Sequence, residues 1–234
     1  MITPAVPLPD SVTGTAAMFD LESARRQMIE QQIRAWEVLN PGVLDVFEQV
    51  PREEFVPERY RELAFADMQV PLGHGQRMLA PKLEGRILQA LGIRAGDRVL
   101  EVGTGSGFFA ACLSRLASKV HSLEIFPDLA EAAGERLLRL GYANVEVETA
   151  DAMGFTGDSA FDAIALTGSL PVYDARFEQG LAIGGRLFAV VGTGPVMEAR
   201  LITRTAAAAW FSETLFETEM APLIHAARPP RFEF

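Results

Sequence analysis

Apolar positions along the chain follow a helical period, lose it, and then alternate between strand-like and helix-like spacing. Over residues 21–38, Met28, Ile29, Ile33 and Trp36 recur at helical intervals, which predicts one amphipathic helix with its Met28-to-Trp36 stripe in a core. Asn40-Pro41-Gly42 breaks that pattern, and residues 43–50 read as a shorter helix. PREEFVPERY, with prolines at 51 and 57 around Phe55, predicts a packed loop. Residues 70–81, VPLGHGQRMLAP, hold two glycines and two prolines and show no period. That is the composition of an ordered loop, the kind of segment that often carries function.

Beyond that loop the pattern becomes regular. Residues 82–91 predict a helix with Leu83, Ile87, Leu88 and Leu91 on one side, stopped by Gly92. Strands are predicted at 98–102, 120–123, 145–149, 161–167 and 186–191. Between them fall a helix over 106–116, apolar nearly all round and therefore buried, and a helix over 127–140 with Pro127 in its first turn and Gly141 past its end. Residues 199–218 read as an antiparallel pair at a sheet edge. Strands alternating with helices define an α/β fold, a mostly parallel twisted sheet with helices on both faces. The expected organisation is a flexible tail over 1–20, a helical cap with the loop over 21–82, and the α/β core over 83–234.

Composition narrows what such a core binds. The formal charge is −10, which argues against a nucleic-acid partner, since phosphate binding needs a dense basic surface. Three histidines and one cysteine leave no set of soft metal ligands, and Cys112 has no partner for an internal disulfide, which fits a cytoplasmic setting. No apolar run reaches the length of a membrane span. The first twenty residues are rich in Pro, Ala and Thr and lack the basic start of a signal peptide, with Met18 an alternative start.

The chemistry concentrates in VLEVGTGSGFFAA, residues 99–111. A buried strand ends near Glu101, and glycines at 103, 105 and 107 lead into a helix. Glycines permit a tight turn and close approach of a ligand to the backbone, and the helix start adds amide donors. The spacing is E-x-G-x-G-x-G, not the G-x-G-x-x-G of dinucleotide sites, and position 108 is Phe. Glu101 would repel a pyrophosphate but suits the ammonium and sulfonium of S-adenosylmethionine. Glu124 ends the second strand, where a carboxylate accepts from both ribose hydroxyls. Asp151-Ala152 follows the third strand, where Asp151 accepts from the adenine amine. Three acids at successive strand ends outweigh the reading of each as a solvated loop carboxylate. Phe108, Phe109 and Cys112 read as core.

The chain resembles the protein-L-isoaspartate O-methyltransferase family over residues 28–223. The blocks MIEQQI (28–33), VPREEFVP (50–57), LAFADMQVPLGHGQ (63–76), VLEVGTGSGF (99–108), LGYANVEV (140–147), GGRL (184–187) and APL (221–223) follow its pattern in order. The resemblance implies a Rossmann-like class I S-adenosylmethionine-dependent methyltransferase, with cofactor contacts at Gly103, Gly105, Gly107, Glu124 and Asp151. Glu101, Thr104, Ala152 and Thr167 complete the candidate cofactor wall, and Gln76, Arg77, Met78 and Leu79 form the candidate acceptor wall. The implied partner is a damaged protein or peptide with an acidic acceptor group.

One departure falls nearest the chemistry. The family's Thr-Ile-Ser, a residue, then Pro, reads here Arg77-Met78-Leu79-Ala80-Pro81. Arg77 is then either a guanidinium that holds an acidic substrate or a solvated loop arginine, and Leu79 an apolar wall favouring another acceptor. The function so expected is methylation of a carboxylate on damaged protein. The alternatives are a relative acting on another carboxylate or a small molecule, and a silent cofactor-binding module. A carboxylate is ionised near neutral pH, so no catalytic base is assigned, and no metal ligand either.

Overall fold

A computed structural model of the protein describes residues 20–157 and 160–230, so the tail expected over 1–20 lies outside the described residues except for Asp20. Asp20 caps the first helix, α1 (Leu21–Met28), by accepting from the Ser23 amide at 3.2 Å. The single helix expected over 21–38 is three pieces. After α1 the chain widens into a π turn (Ile29–Ile33), tightens into a 3₁₀ turn (Arg34–Trp36) and reverses at Glu37, whose φ is +62°. The wide turn lets Met28, Ile29 and Ile33 all bury, and Gln32 Nε2 donates to the Phe65 carbonyl at 2.8 Å. Trp36 was expected in the core stripe and is 42% exposed instead, with the Lys82 ammonium 4.4 Å from its ring centre. Asn40 caps α2 (Pro41–Gln49), and 3₁₀ turns at Arg52–Glu54 and Glu58–Leu63 replace the loop expected at PREEFVPERY.

A two-residue ribbon follows, β1 (Val70–Pro71) against β2 (Arg77–Met78), and then α3 (Pro81–Leu91), with Pro at its first position and Gly92 in left-handed conformation past its end. The remaining elements are β3 (Arg98–Val102), α4 (Phe108–Leu116), β4 (Lys119–Glu124), α5 (Pro127–Arg139), β5 (Val145–Thr149), β6 (Phe161–Leu166), α6 (Arg176–Gln179), β7 (Leu181–Thr193), β8 (Val196–Ala206) and β9 (Ala209–Glu217). Seven strands form one sheet in the order β5-β4-β3-β6-β7-β8-β9, parallel through β7 and antiparallel from β7 to β9. The antiparallel edge expected at 199–218 is therefore present, with β8 beginning three residues earlier.

Alternation along the central strands separates two apolar cores. Val99, Ala163, Ala165, Phe188 and Val190 join the cap, α3, α4 and Leu137 of α5 in one cluster. Leu100, Val102, Ile164, Leu166, Leu187 and Ala189 face a second cluster with Phe177 of α6. The first face thus carries the cap and three of the longer helices; the second is covered mainly by the four-residue α6 and loops, a thinner layer than the expected helices on both faces.

Strand β7 begins five residues before its expected start. Its pairing with β6 slips across Gly184-Gly185, where a β-carbon at 185 would lie 2.8 Å from the Ala182 carbonyl. The two glycines mark a bulge inside the strand.

Candidate functional site

From β3 the chain runs outward to β4 and β5, then returns across β3 to place β6 on its other side. That reversal opens a crevice at the carboxyl ends of the strands, the general location of ligand sites in open α/β sheets. A cleft of about 790 Å³, open to solvent, lies there. Its walls are the loop after β3, the end of β4, the turn after β5, the Thr167-Gly168 pair after β6, the 72–79 segment and the 220–224 segment.

The loop after β3 is held by its own backbone. Gly103 N–H and Thr104 N–H both donate to the Leu123 carbonyl, at 2.8 and 3.2 Å, and Gly107 N–H donates to the Thr104 carbonyl at 2.9 Å. Gly103, Gly105 and Gly107 have φ of +99°, +54° and +85°. A β-carbon on Gly103 would sit 2.3 Å from Thr167 Oγ1, whose hydroxyl donates to the carbonyls of Val102 and Gly103 at 2.8 and 2.7 Å. Glycine at this position is a steric requirement.

The acids separate into two kinds. Glu124, at the end of β4, faces the cleft while both its oxygens hold backbone: Oε2 accepts from Gly105 N–H at 2.8 Å and Oε1 from Phe126 N–H at 3.1 Å. Each carboxylate oxygen keeps a lone pair for a further donor. Asp151 also lines the cleft; Oδ1 accepts from Met153 N–H at 2.9 Å, and Oδ2 lies 2.8 Å from His225 Nδ1. Burial raises the Asp151 carboxyl, but the His225 hydrogen bond and the Met153 amide outweigh it and hold the group below its usual range.

Glu101 is fully buried and is not part of the cleft wall. Its Oε2 accepts from Ser122 Oγ, which also lies 2.6 Å from Thr104 Oγ1, while its Oε1 has no hydrogen-bond partner among the described residues. Burial, opposed by the Ser122 hydrogen bond and reinforced by Glu124 and Glu84, pushes its pKa up to about 8. The sequence placed this acid against the cofactor's positive charge; the fold places it behind the loop that lines the site.

The acceptor rim is held from below by an ion pair that the sequence did not single out. Arg52, in the turn after α2, is buried and binds the Glu84 carboxylate in the first turn of α3, with Arg52 Nη2 donating to the Leu79 carbonyl at 2.7 Å and Nε to the Ala64 carbonyl at 2.8 Å. Burial, opposed by the Arg52 charge, raises Glu84 to about 7. Above this clamp, Gln76, Arg77 and Leu79 line the cleft, and Met78 is buried and lines a smaller inner cavity beside it. Thr104 also lines only that inner cavity. Ala152 and Thr167 reach the cleft, whereas Gly107 lines neither cavity and instead lets α4 begin against Ala133 and Leu137 of α5.

A further wall escaped the sequence pattern. Met220 to Ile224 lines the cleft, pinned by Ser169 N–H to the Ala221 carbonyl at 2.8 Å and by Leu223 N–H to the Ser169 carbonyl at 2.9 Å. The APL block was the only sign of it. His74, which lines neither cavity, stacks on the cleft-lining Phe126 with ring centres 4.2 Å apart and lies 2.9 Å from Asp128 Oδ1.

The residues present fit S-adenosylmethionine: a glycine cradle that admits no side chain, a carboxylate held open beside it, and a second carboxylate across the cleft. A glycine loop and strand-end acids at the switch point of this sheet define a Rossmann-like S-adenosylmethionine-dependent methyltransferase. A Plasmodium falciparum structure assigned as a protein-L-isoaspartate O-methyltransferase, solved with S-adenosyl-L-homocysteine, shares the fold with a TM-score of 0.73, 85% of this chain and 97% of that chain being covered at 21% identity. The family model described as protein-L-isoaspartate(D-aspartate) O-methyltransferase matches residues 23–227, and the chain belongs to that family. It is 38% identical to protein-L-isoaspartate O-methyltransferase 1 of Rhodopseudomonas palustris, over 93% of this chain and 87% of the relative. It is 37% identical to protein-L-isoaspartate O-methyltransferase 2 of Marinobacter nauticus, over 88% of this chain and 94% of the relative.

Proposed function

We propose that the protein methylates the free carboxylate of isoaspartyl residues in damaged proteins or peptides, and that the cleft between the glycine loop and the Gln76–Leu79 segment holds donor and acceptor together. The observation that carries this reading is the meeting of those two walls in one cleft, within a chain whose family membership covers both. On this reading Glu124 accepts from the ribose diol and Asp151 from the adenine amine. When bound, S-adenosylmethionine supplies a methyl group on a positively charged sulfur, open to in-line displacement by a carboxylate oxygen.

The protein's share of the work is positional. Glu124 keeps Gly105 and Phe126 in register, Thr167 locks Gly103, and the 220–224 segment narrows the mouth against water. The acceptor is ionised near neutral pH, so no proton has to be removed by a side chain. Alignment of a held pair is worth up to about 7–11 kcal/mol of barrier, enough to account for catalysis without a base.

Labelled S-adenosylmethionine incubated with an isoaspartyl peptide and its normal aspartyl counterpart tests the reading. Base-labile label on the isoaspartyl peptide alone is expected; equal labelling, or none, overturns it. A second reading, another carboxylate acceptor, is favoured by one observation: Leu79 is buried and gives the acceptor wall an apolar face. A Leu79→Ser, Arg77→Thr variant that turns an inactive protein into an isoaspartyl enzyme would establish that reading. Cofactor binding without transfer to any protein extract would instead mark a silent module.

A further inference from the structure

The outer cleft and the inner cavity, about 300 Å³, share a wall of Leu72, Arg77, Leu79, Gly103, Gly105 and Thr167. With Glu124 and Asp151 taking the ribose and adenine of the donor, its amino-acid end falls toward this shared wall. That end carries an ammonium and a carboxylate. The ammonium has an acid nearby, since Glu84 lines the inner cavity. The carboxylate needs a cation or donors, because enclosing an unpaired anion in the cleft is costly.

Arg77 is the only cationic side chain lining either cavity among the described residues. It is exposed and has no carboxylate partner among them. Its place is set by the backbone: it pairs with Pro71 across the ribbon, Leu72 N–H donates to the Gln76 carbonyl at 2.9 Å, and Gln76 N–H closes the turn onto Gly73 at 2.7 Å. Two residues on, the chain is clamped by Arg52. An unpaired guanidinium is therefore presented from an anchored ribbon at the junction where a donor carboxylate must sit. A guanidinium matches a carboxylate with two parallel hydrogen bonds.

The alternative, that Arg77 grips the acceptor, runs against the reaction. Methyl transfer destroys the acceptor's negative charge as the ester forms, so a cation on that carboxylate stabilises the ground state more than the transition state. A cation on the donor's carboxylate, which does not react, carries no such penalty.

We propose that Arg77 binds the carboxylate at the amino-acid end of S-adenosylmethionine and contributes to donor affinity, not to recognition of the acceptor. The proposal rests on the cofactor placement above. Its test compares S-adenosylhomocysteine with methylthioadenosine, which has the adenine, ribose and sulfur but no amino-acid end, by calorimetry on the full chain. Arg77→Met is expected to weaken S-adenosylhomocysteine roughly ten- to a hundredfold, the range of a charged hydrogen-bonded contact. Methylthioadenosine should bind wild type and variant alike, and Arg77→Lys should recover part of the loss. Equal loss of both ligands would show a distorted loop and overturn the assignment. Unchanged S-adenosylhomocysteine affinity with a raised KM for the peptide would return Arg77 to the acceptor. Failure of wild type to bind either ligand would sink the cofactor placement itself, a different result from failure of the variant comparison.

Discussion

The two rims of the cleft are built on different principles. On the donor rim the shape is backbone: Gly103, Gly105 and Gly107 turn with positive φ, and Glu124, Thr167 and the Leu123 carbonyl hold the turn by bonds to main-chain groups. On the acceptor rim the shape is borrowed. A two-residue ribbon carries Arg77 and Met78, and the following Leu79 is held through its carbonyl by Arg52, a residue of the cap. The exposed Arg77 side chain is free to change while the ribbon stays put, whereas Met78 and Leu79 are packed in the core; both family hydroxyls, at 77 and 79, are absent here. A side chain added at Gly103 has nowhere to go.

The largest expected effect tests the rigidity of the donor rim. Gly103→Ala puts a β-carbon 2.3 Å from Thr167 Oγ1 at a φ that L residues rarely adopt. S-adenosylhomocysteine affinity should fall by roughly a hundredfold or more, as expected where backbone and hydroxyl must both move. Near wild-type affinity by calorimetry would mean that this rim yields, and the contrast between the rims would go with it.

Next in size is the clamp beneath the acceptor rim. Arg52→Met leaves Glu84 buried without its partner, and urea denaturation should show a loss of about 3–5 kcal/mol. Arg52→Met with Glu84→Leu should recover most of that stability, since apolar replacements of a buried pair are often neutral. If the single variant is as stable as wild type, the acceptor rim does not hang on the cap.

A smaller effect sharpens the difference between Glu101 and Glu124. Glu101 has its pKa raised from 4.5 to about 8, mainly by burial. The folded chain therefore holds a proton there that the unfolded chain has released, across the range between those values. Its contribution to stability is fully present below about pH 4.5 and is lost as pH rises toward 8, on the order of a few kcal/mol at most. Denaturation midpoints at pH 5 and pH 8 should differ less in Glu101→Gln than in wild type. An unchanged pH slope in the variant would show that Glu101 is charged when folded, and so nearer to the solvent and to the donor than its burial indicates.

Much of this was legible beforehand, and the failures are instructive. The short periods of the central strands, Pro127 and Gly92 at helix ends, and the glycine spacing of 103 to 107 all mapped onto the elements found. The failures share a cause. Trp36 fell on an apolar stripe, but the π turn after α1 rotated the stripe and left the ring outside. The expected strand starts at 186 because the Gly184-Gly185 bulge within β7 has no side chains to carry the apolar pattern back to Leu181. Arg52 and Glu84 looked like ordinary charged positions, being 32 residues apart, and only packing of the cap on α3 joins them.

By itself the sequence determined what depends on neighbours along the chain: the periods, the caps, the positive-φ glycines, and an acid at each strand end. Tertiary structure decided which of those acids meet the ligand. Glu101 and Glu124 end adjacent parallel strands, yet one is sealed behind the glycine loop and the other opens into the cleft. It also brought His225 to Asp151 across 74 residues and made the 220–224 segment a wall of the cleft. Burial and long-range pairing are properties of the surroundings a residue is folded into, and a one-dimensional pattern does not contain those surroundings.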